Sequence, residues 1–325
     1  MKAIVCKEWG GPDKLVVEEI SPPLMAANQI RLAVNVAALS FVDILMPAGK
    51  YQVKPELTFV PGSHAAGEIL EVGKDVNGLI SGDRAYAYGQ TGALAEEMVV
   101  AADSAHRLPE NVSFETGAAY GNAYGTSFHA LRDRAELQPG ETLLVHGAGG
   151  GVGLAAVDIG REMGARVIAT ARGEEKAKVL RDYGAEAVID YTKGPFKEQV
   201  KDLTNGRGAD VIYDPVGGDV FDQSLRCISW GGRLLVVGFA SGAIPSVPAN
   251  LPLLKGCAVV GVSFGGFRKQ QPEAVQALHQ TLLEWLAGGR LKPMVSLRYP
   301  LERTSDAINA MTERRSIGRV IVNIR

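Results

Sequence analysis

The chain has 325 residues, room for about two domains at ~150 residues each, and 46% of them are apolar, so each domain can bury a full core. Lys and Arg number 34 against 36 Asp and Glu, a formal charge of −2 with no long basic run, which disfavours a general electrostatic affinity for nucleic acid or an anionic membrane. The 39 glycines exceed the usual share, yet Gly and Pro together stay below the level of low-complexity chains, so the excess belongs to turns of a folded protein.

The first apolar stretch, residues 3–6, is hemmed by Lys2, Lys7 and Glu8 and is too short for a signal-peptide core. No apolar run approaches the 18 or so residues of a membrane span, and the expected location is cytoplasmic. Cys6, Cys227 and Cys257 are too scattered for a disulfide framework or a thiolate metal site and read as buried free thiols. Residues 1–120 carry short apolar runs at 3–6, 15–20, 30–38, 68–72 and 84–88, separated by Gly, Pro, Asn and Asp, which predicts a compact β-rich domain.

From residue 142 a different rhythm begins. Apolar runs start at Thr142, Arg166, Ala187, Asp210 and Arg233, spaced 24, 21, 23 and 23 residues apart, with helical patterns over 151–163, 173–183, 196–203 and 218–226 between them. Strands and helices alternating at this length build right-handed βαβ units, so this half is α/β, a doubly wound parallel sheet. Residues 258–262 supply a sixth strand at one edge. Helices over 272–287 and 305–312 and a closing strand over 319–324 follow, and this tail is expected to pack back onto the N-terminal domain.

The first of these strands runs into His146-Gly-Ala-Gly-Gly-Gly-Val-Gly153 just before a helix. Gly149 is read as the tight turn, Gly150 and Gly151 as positions bared for a pyrophosphate, and Gly153 as the contact that seats the helix on the sheet, whose N-terminus then offers unpaired N–H groups. An enzyme for NAD would end the second strand with Asp or Glu; here it ends Thr170-Ala171-Arg172, with Lys176 one turn on. Those cations suit a 2′-phosphate, and so NADPH, whereas a solvated helix start is the alternative, with Glu174 and Glu175 facing water.

These motifs resemble the medium-chain dehydrogenase/reductase superfamily in its zinc-free quinone oxidoreductase branch, and the resemblance covers essentially the whole chain. It is carried by Pro139–Gly153, Pro61-Gly62, Ala66-Gly67, Ser81–Arg84, Asp214-Pro-Val-Gly-Gly218 and Gly231–Gly238. Asp158 stands where that signature usually has Gln. The resemblance implies a Rossmann domain over 125–265 inserted in a β-rich GroES-like catalytic domain formed by 1–124 and 266–325. It also implies cofactor contacts at Thr126, Gly149, Gly150, Gly151, Val152, Gly153, Lys176, Tyr191, Gly217, Gly238, Phe239 and Arg315.

A catalytic zinc wants three protein ligands. Ser40 stands where zinc-dependent relatives carry Cys, and their Gly-His-Glu triplet reads Gly62-Ser63-His64, so no metal is expected. Hydride transfer to a quinone makes little demand on acid/base residues, because the product takes protons from solvent. Asp43, Tyr51 and His64 are the candidate catalytic groups, each with a structural reading beside the functional one. The expected activity is NADPH-dependent reduction of a quinone or other conjugated carbonyl. Reduction of an enoyl thioester, with Arg268-Lys269 as an entry surface, is one alternative, and an NADPH-binding or RNA-binding protein without turnover is another. A homodimer is expected, in which 259–264 pairs with its twin.

Overall fold

A computed structural model describes residues 1–325. The chain divides into two compact units, Met1–Asn122 with His279–Arg325, and Ala123–Leu278.

In the first unit β1 (Lys2–Cys6) and β2 (Leu15–Glu19) form an antiparallel pair. Then come β3 (Gln29–Leu39), α1 (Val42–Leu45), β4 (His64–Val72), β5 (Arg84–Tyr88), β6 (Glu97–Ala101), β7 (Ala105–Arg107) and the start of α2 (Phe114–Phe128). The long strand β3 organises the unit: β4 lines one edge, while β6 takes the first part of the other edge. Leu32, Val34, Leu39, Ile69, Leu94 and Met98 are buried within it, each contributing about 2 kcal/mol of apolar burial. Strand β4 starts at His64, ahead of the run at 68–72, because residues 64–67 are buried on both faces and lack the alternation that marks a half-exposed strand.

In the second unit β8 (Thr142–Val145), α3 (Gly151–Glu162), β9 (Arg166–Ala171), α4 (Glu174–Asp182), β10 (Ala187–Asp190), α5 (Phe196–Leu203), β11 (Ala209–Asp214), α6 (Asp219–Cys227) and β12 (Ile228–Val236) alternate. After them come α7 (Asn250–Lys255), β13 (Ala258–Gly261) and α8 (Phe264–Gln270). The six strands are parallel in the order β10-β9-β8-β11-β12-β13, a Rossmann sheet whose order reverses between β8 and β11. Leu144, Ile168, Ile212 and Leu234 from four strands meet Phe196, Val200 and Phe221 from the helices in its core.

Two expectations are corrected here. Strand β12 reaches back to Ile228, past Gly231-Gly232, because an irregularity in its pairing with β11 absorbs the glycines. The edge strand stops at Gly261: the Ser263 hydroxyl accepts from Gly266 N–H at 3.2 Å and starts α8, so Phe264 is helical.

The chain returns to the first unit within α9 (Pro272–Ala287), followed by β14 (Val295–Pro300), α10 (Thr304–Thr312) and β15 (Arg319–Asn323). Strand β15 pairs antiparallel with the end of β3 and carries β14 as the outermost strand. The division at 278/279 lies beyond the 265/266 expected from sequence, because α8 packs in the second unit, where Phe267 stacks on His129 at 4.0 Å.

Candidate dinucleotide site and a buried polar network

Thr126, the glycine run, Arg172, Lys176, Tyr191, Gly217, Gly238 and Phe239 all belong to the second unit. All but Thr126, on α2, follow the carboxyl ends of parallel strands, where Rossmann sheets bind ligands, or lie on the helices that begin there. The turn after β8 is made by Gly147, at φ +55°, rather than by Gly149. Gly150 is extended and gives α3 no side-chain cap, which leaves the helix's first N–H groups for an anion. A Cβ on Gly153 would stand 2.3 Å from Gly147 O, so only glycine lets α3 approach its own loop this closely. Ser127 holds the start of α3: its hydroxyl donates to Val152 O at 2.9 Å and lies 2.9 Å from Tyr213 Oη.

Gly149 has a different duty from the turn assigned to it. A Cβ there would meet Lys176 Cδ at 3.0 Å, so the lysine stem lies across the loop. Arg172 is exposed at the end of β9. The acidic residues nearby are engaged elsewhere: Arg181 donates to Glu174 at 2.7 Å, and Asp190 accepts from Thr192 N–H at 3.0 Å and Thr192 Oγ1–H at 2.7 Å. Asp190 is thereby held below the usual carboxylate range by the Thr192 hydrogen bonds. A cavity of about 220 Å³ opens beside this strand end, lined by Gly173, Glu174, Arg181, Asp190, Lys193 and Gln199; it shares no residue with the glycine loop.

Asp214 closes β11 and is buried, accepting from Val216 N–H at 2.8 Å and Gly217 N–H at 3.0 Å. Burial pushes its carboxyl up against those bonds. Gly218 N–H donates to Ala243 O and Ala240 N–H to Pro215 O, which fastens the loop bearing Gly238 and Phe239 to the loop bearing Gly217. Beneath the glycine loop, buried His146 lies 3.0 Å from Thr170 Oγ1 through Nδ1 and 2.9 Å from Ser224 Oγ through Nε2. Ser224 donates onward to Val220 O, so it accepts from Nε2–H, and the imidazole is neutral, with burial lowering its pKa to about 3.

The first unit holds Asp43, Tyr51 and His64. Asp43, on α1, is 3% exposed and accepts from Ser40 N–H at 2.6 Å and Ser40 Oγ–H at 2.8 Å. Its charge faces Arg319, on β15, which is buried as well. Burial raises the Asp43 pKa and lowers that of Arg319, and each charge opposes the other's shift. Asp43 is thus held by both Ser40 hydrogen bonds, with the Arg319 charge favouring its ionised form. Tyr51 packs, half-buried, against the first unit's core. His64 is buried, with Nδ1 2.9 Å from Tyr86 Oη. Arg315, expected at the adenosine end, is exposed in the first unit and donates to Glu313 at 2.6 Å. Tyr86 and Arg319 carry no motif and escape a reading of the sequence.

No three His, Cys, Asp or Glu side chains converge as metal ligands, and no helix is long and apolar enough to cross a membrane.

The parallel sheet, its switch point and the uncapped glycine-loop helix define a dinucleotide-binding dehydrogenase. Residues 151–280 match the family model described as zinc-binding dehydrogenase and 26–110 the alcohol dehydrogenase GroES-like domain. A quinone oxidoreductase-like protein 2 homolog of Nematostella vectensis is 43% identical over all of this chain and 89% of its own length, and quinone oxidoreductase-like protein 2 of Bos taurus is 37% identical over all of this chain and 93% of its own. The crystal structure of Escherichia coli quinone oxidoreductase complexed with NADPH superposes at a TM-score of 0.94, covering the whole of both chains at 30% identity. The chain belongs to the quinone oxidoreductase branch of the medium-chain dehydrogenase/reductase superfamily and is an oxidoreductase.

Proposed function

We propose that the protein is an NADPH-dependent reductase that delivers hydride to a quinone or other conjugated carbonyl without a metal. The observation that carries the cofactor choice is Lys176 lying across Gly149 while Glu174 and Asp190 are tied to Arg181 and Thr192, so the end of β9 presents cations. NADPH would supply the hydride; Gly150 through Gly153 would hold its pyrophosphate and Arg172, Lys176 and Tyr191 its 2′-phosphate. The NADPH complex of the E. coli relative supports the same choice.

The residues present do not fit a catalytic zinc. Ser40 spends its hydroxyl on Asp43, Ser63 replaces an imidazole, and no other donor set gathers. The protein works in the cytoplasm as a homodimer, and Thr126, Gly238 and Phe239 complete the cofactor site. The test is NADPH oxidation by purified protein with a small quinone, an enone and an enoyl thioester, beside elemental analysis. Turnover of quinone and enone with no stoichiometric zinc is expected; turnover confined to the thioester, or activity lost with a removed zinc, overturns the proposal.

A further inference from the structure

A serine inside a helix usually returns its hydroxyl hydrogen to the carbonyl one turn back. Ser127, near the end of α2, sends it across to α3 instead, donating to Val152 O at 2.9 Å. The other partner of its oxygen is Tyr213 Oη on β11, also at 2.9 Å. Both side chains are fully buried, and a buried phenol needs an acceptor. Ser127 has one hydroxyl hydrogen and has given it to Val152, so Tyr213 is the donor of the second bond. Burial raises the Tyr213 pKa, which keeps that hydrogen in place at neutral pH. The result is a one-way chain from Tyr213 O–H through Ser127 O–H to Val152 C=O, contained entirely in the second unit. Tyr213 also holds the other end of the glycine loop, since its carbonyl accepts from His146 N–H at 3.0 Å where β8 gives way to the glycines.

We propose that Ser127 and Tyr213 are positioning residues for the dinucleotide: their chain polarises the Val152–Gly153 peptide and strengthens Gly153 N–H as a donor to the cofactor's pyrophosphate. The inference rests on the cofactor reading proposed above.

Val152 and Gly153 are the second and third residues of α3, whose first N–H groups have no carbonyl within the helix to receive them. In the helix ladder Val152 O belongs to Ala156 N–H, so Ser127 adds a second donor and fills both lone pairs of that carbonyl. Electron density drawn to the oxygen leaves the N–H across the same amide more positive. Hydrogen bonds in a row reinforce one another in this way wherever little water screens them. The acceptor that gains most is an anion at the N-terminus of α3. No proton or electron moves along the chain; it orients dipoles. It acts on the diphosphate, which NADPH and NADH share, so it adds affinity without choosing between them, and the choice belongs to Arg172 and Lys176.

Titration calorimetry on the full chain tests this. Ser127→Ala should raise Kd about fivefold for NADPH and NADH alike, and Tyr213→Phe, which keeps the ring and the Ser127 donor, about twofold for both. Adenosine 2′-monophosphate, which has the 2′-phosphate and no pyrophosphate, should bind both variants as it binds wild type. NMR of the cofactor-free protein gives a second readout. The Val152 carbonyl ¹³C and Gly153 amide ¹⁵N resonances should move upfield in Ser127→Ala and by less in Tyr213→Phe, a signature that a merely loosened loop would not confine to one peptide. A loss confined to NADPH, an equal loss of adenosine 2′-monophosphate, or resonances of Gly147 through Gly151 shifted as much as Val152 overturns the inference. Variants that bind both dinucleotides as wild type does overturn it too, and leave the cofactor reading intact. Wild-type protein that binds neither dinucleotide refutes the cofactor reading itself and, with its anion gone, this inference as well.

Discussion

Lys176 and Gly149 are matched: the lysine stem runs where a Cβ on the glycine would stand, 3.0 Å from Cδ, so a cation on α4 is held against the loop of α3. Only the 2′-phosphate distinguishes NADPH from NADH, so only NADPH should feel the loss of that cation. Lys176→Ala should raise KM for NADPH about tenfold, a loss of ~1.4 kcal/mol, and leave KM for NADH within twofold. Steady-state kinetics with both cofactors checks this. If the two constants rise together, Lys176 serves the shared pyrophosphate site.

Much of the second unit is legible in the sequence because its contacts are local: one βαβ unit recurs every 21 to 24 residues, and the glycine loop joins adjacent elements. The relation of Lys176 to Gly149 is not, since it depends on the rotamer of a side chain crossing between neighbouring units. Asp158, the departure from the glycine signature, shows the same limit: it accepts from Tyr124 Oη–H at 2.9 Å and from Arg161 at 3.0 Å, partners that no spacing announces. In the first unit the decisive pairings are long-range. Arg319 donates to Ala38 O across 281 residues, and antiparallel pairing of β4 with β5 brings Tyr86 beside His64.

His146 makes stability depend on acid. Its folded pKa, about 3, lies below its ordinary value near 6.5, so between these pH values the unfolded chain binds a proton that the folded chain refuses. Stability is therefore complete above ~6.5 and falls toward pH 3, by up to about 1.4 kcal/mol per pH unit from this group. Denaturant midpoints of wild type and His146→Gln at pH 7 and pH 4.5 should show a smaller acid loss in the variant, although it is less stable at pH 7. Parallel acid losses would mean that other groups govern the transition.

Strand β13 ends the parallel sheet with an unpaired edge, and Trp230, Leu253 and Leu254 are 80%, 78% and 70% exposed in the β12–α7 segment just before it, with Trp230 lying against Gly256. An apolar edge of this kind invites pairing with its twin about a two-fold axis. Val260→Asp should convert a dimer to monomers or aggregates in sedimentation velocity. Unchanged sedimentation would move the interface elsewhere.

Asp43 and Arg319 offer the sharpest energetic test, because both charges are buried and each is the other's compensation. Removing one partner strands the other in a medium that cannot solvate it. Asp43→Asn should therefore cost about 3–5 kcal/mol of stability, as should Arg319→Met, although the latter spares the Ser40 hydrogen bonds to Asp43. The double variant leaves no unpaired charge, and a methionine of similar length fills the guanidinium's place. It should recover at least 2 kcal/mol relative to the sum of the single losses, read from urea midpoints in a double-mutant cycle. Additive losses would show that the two side chains are stabilised independently.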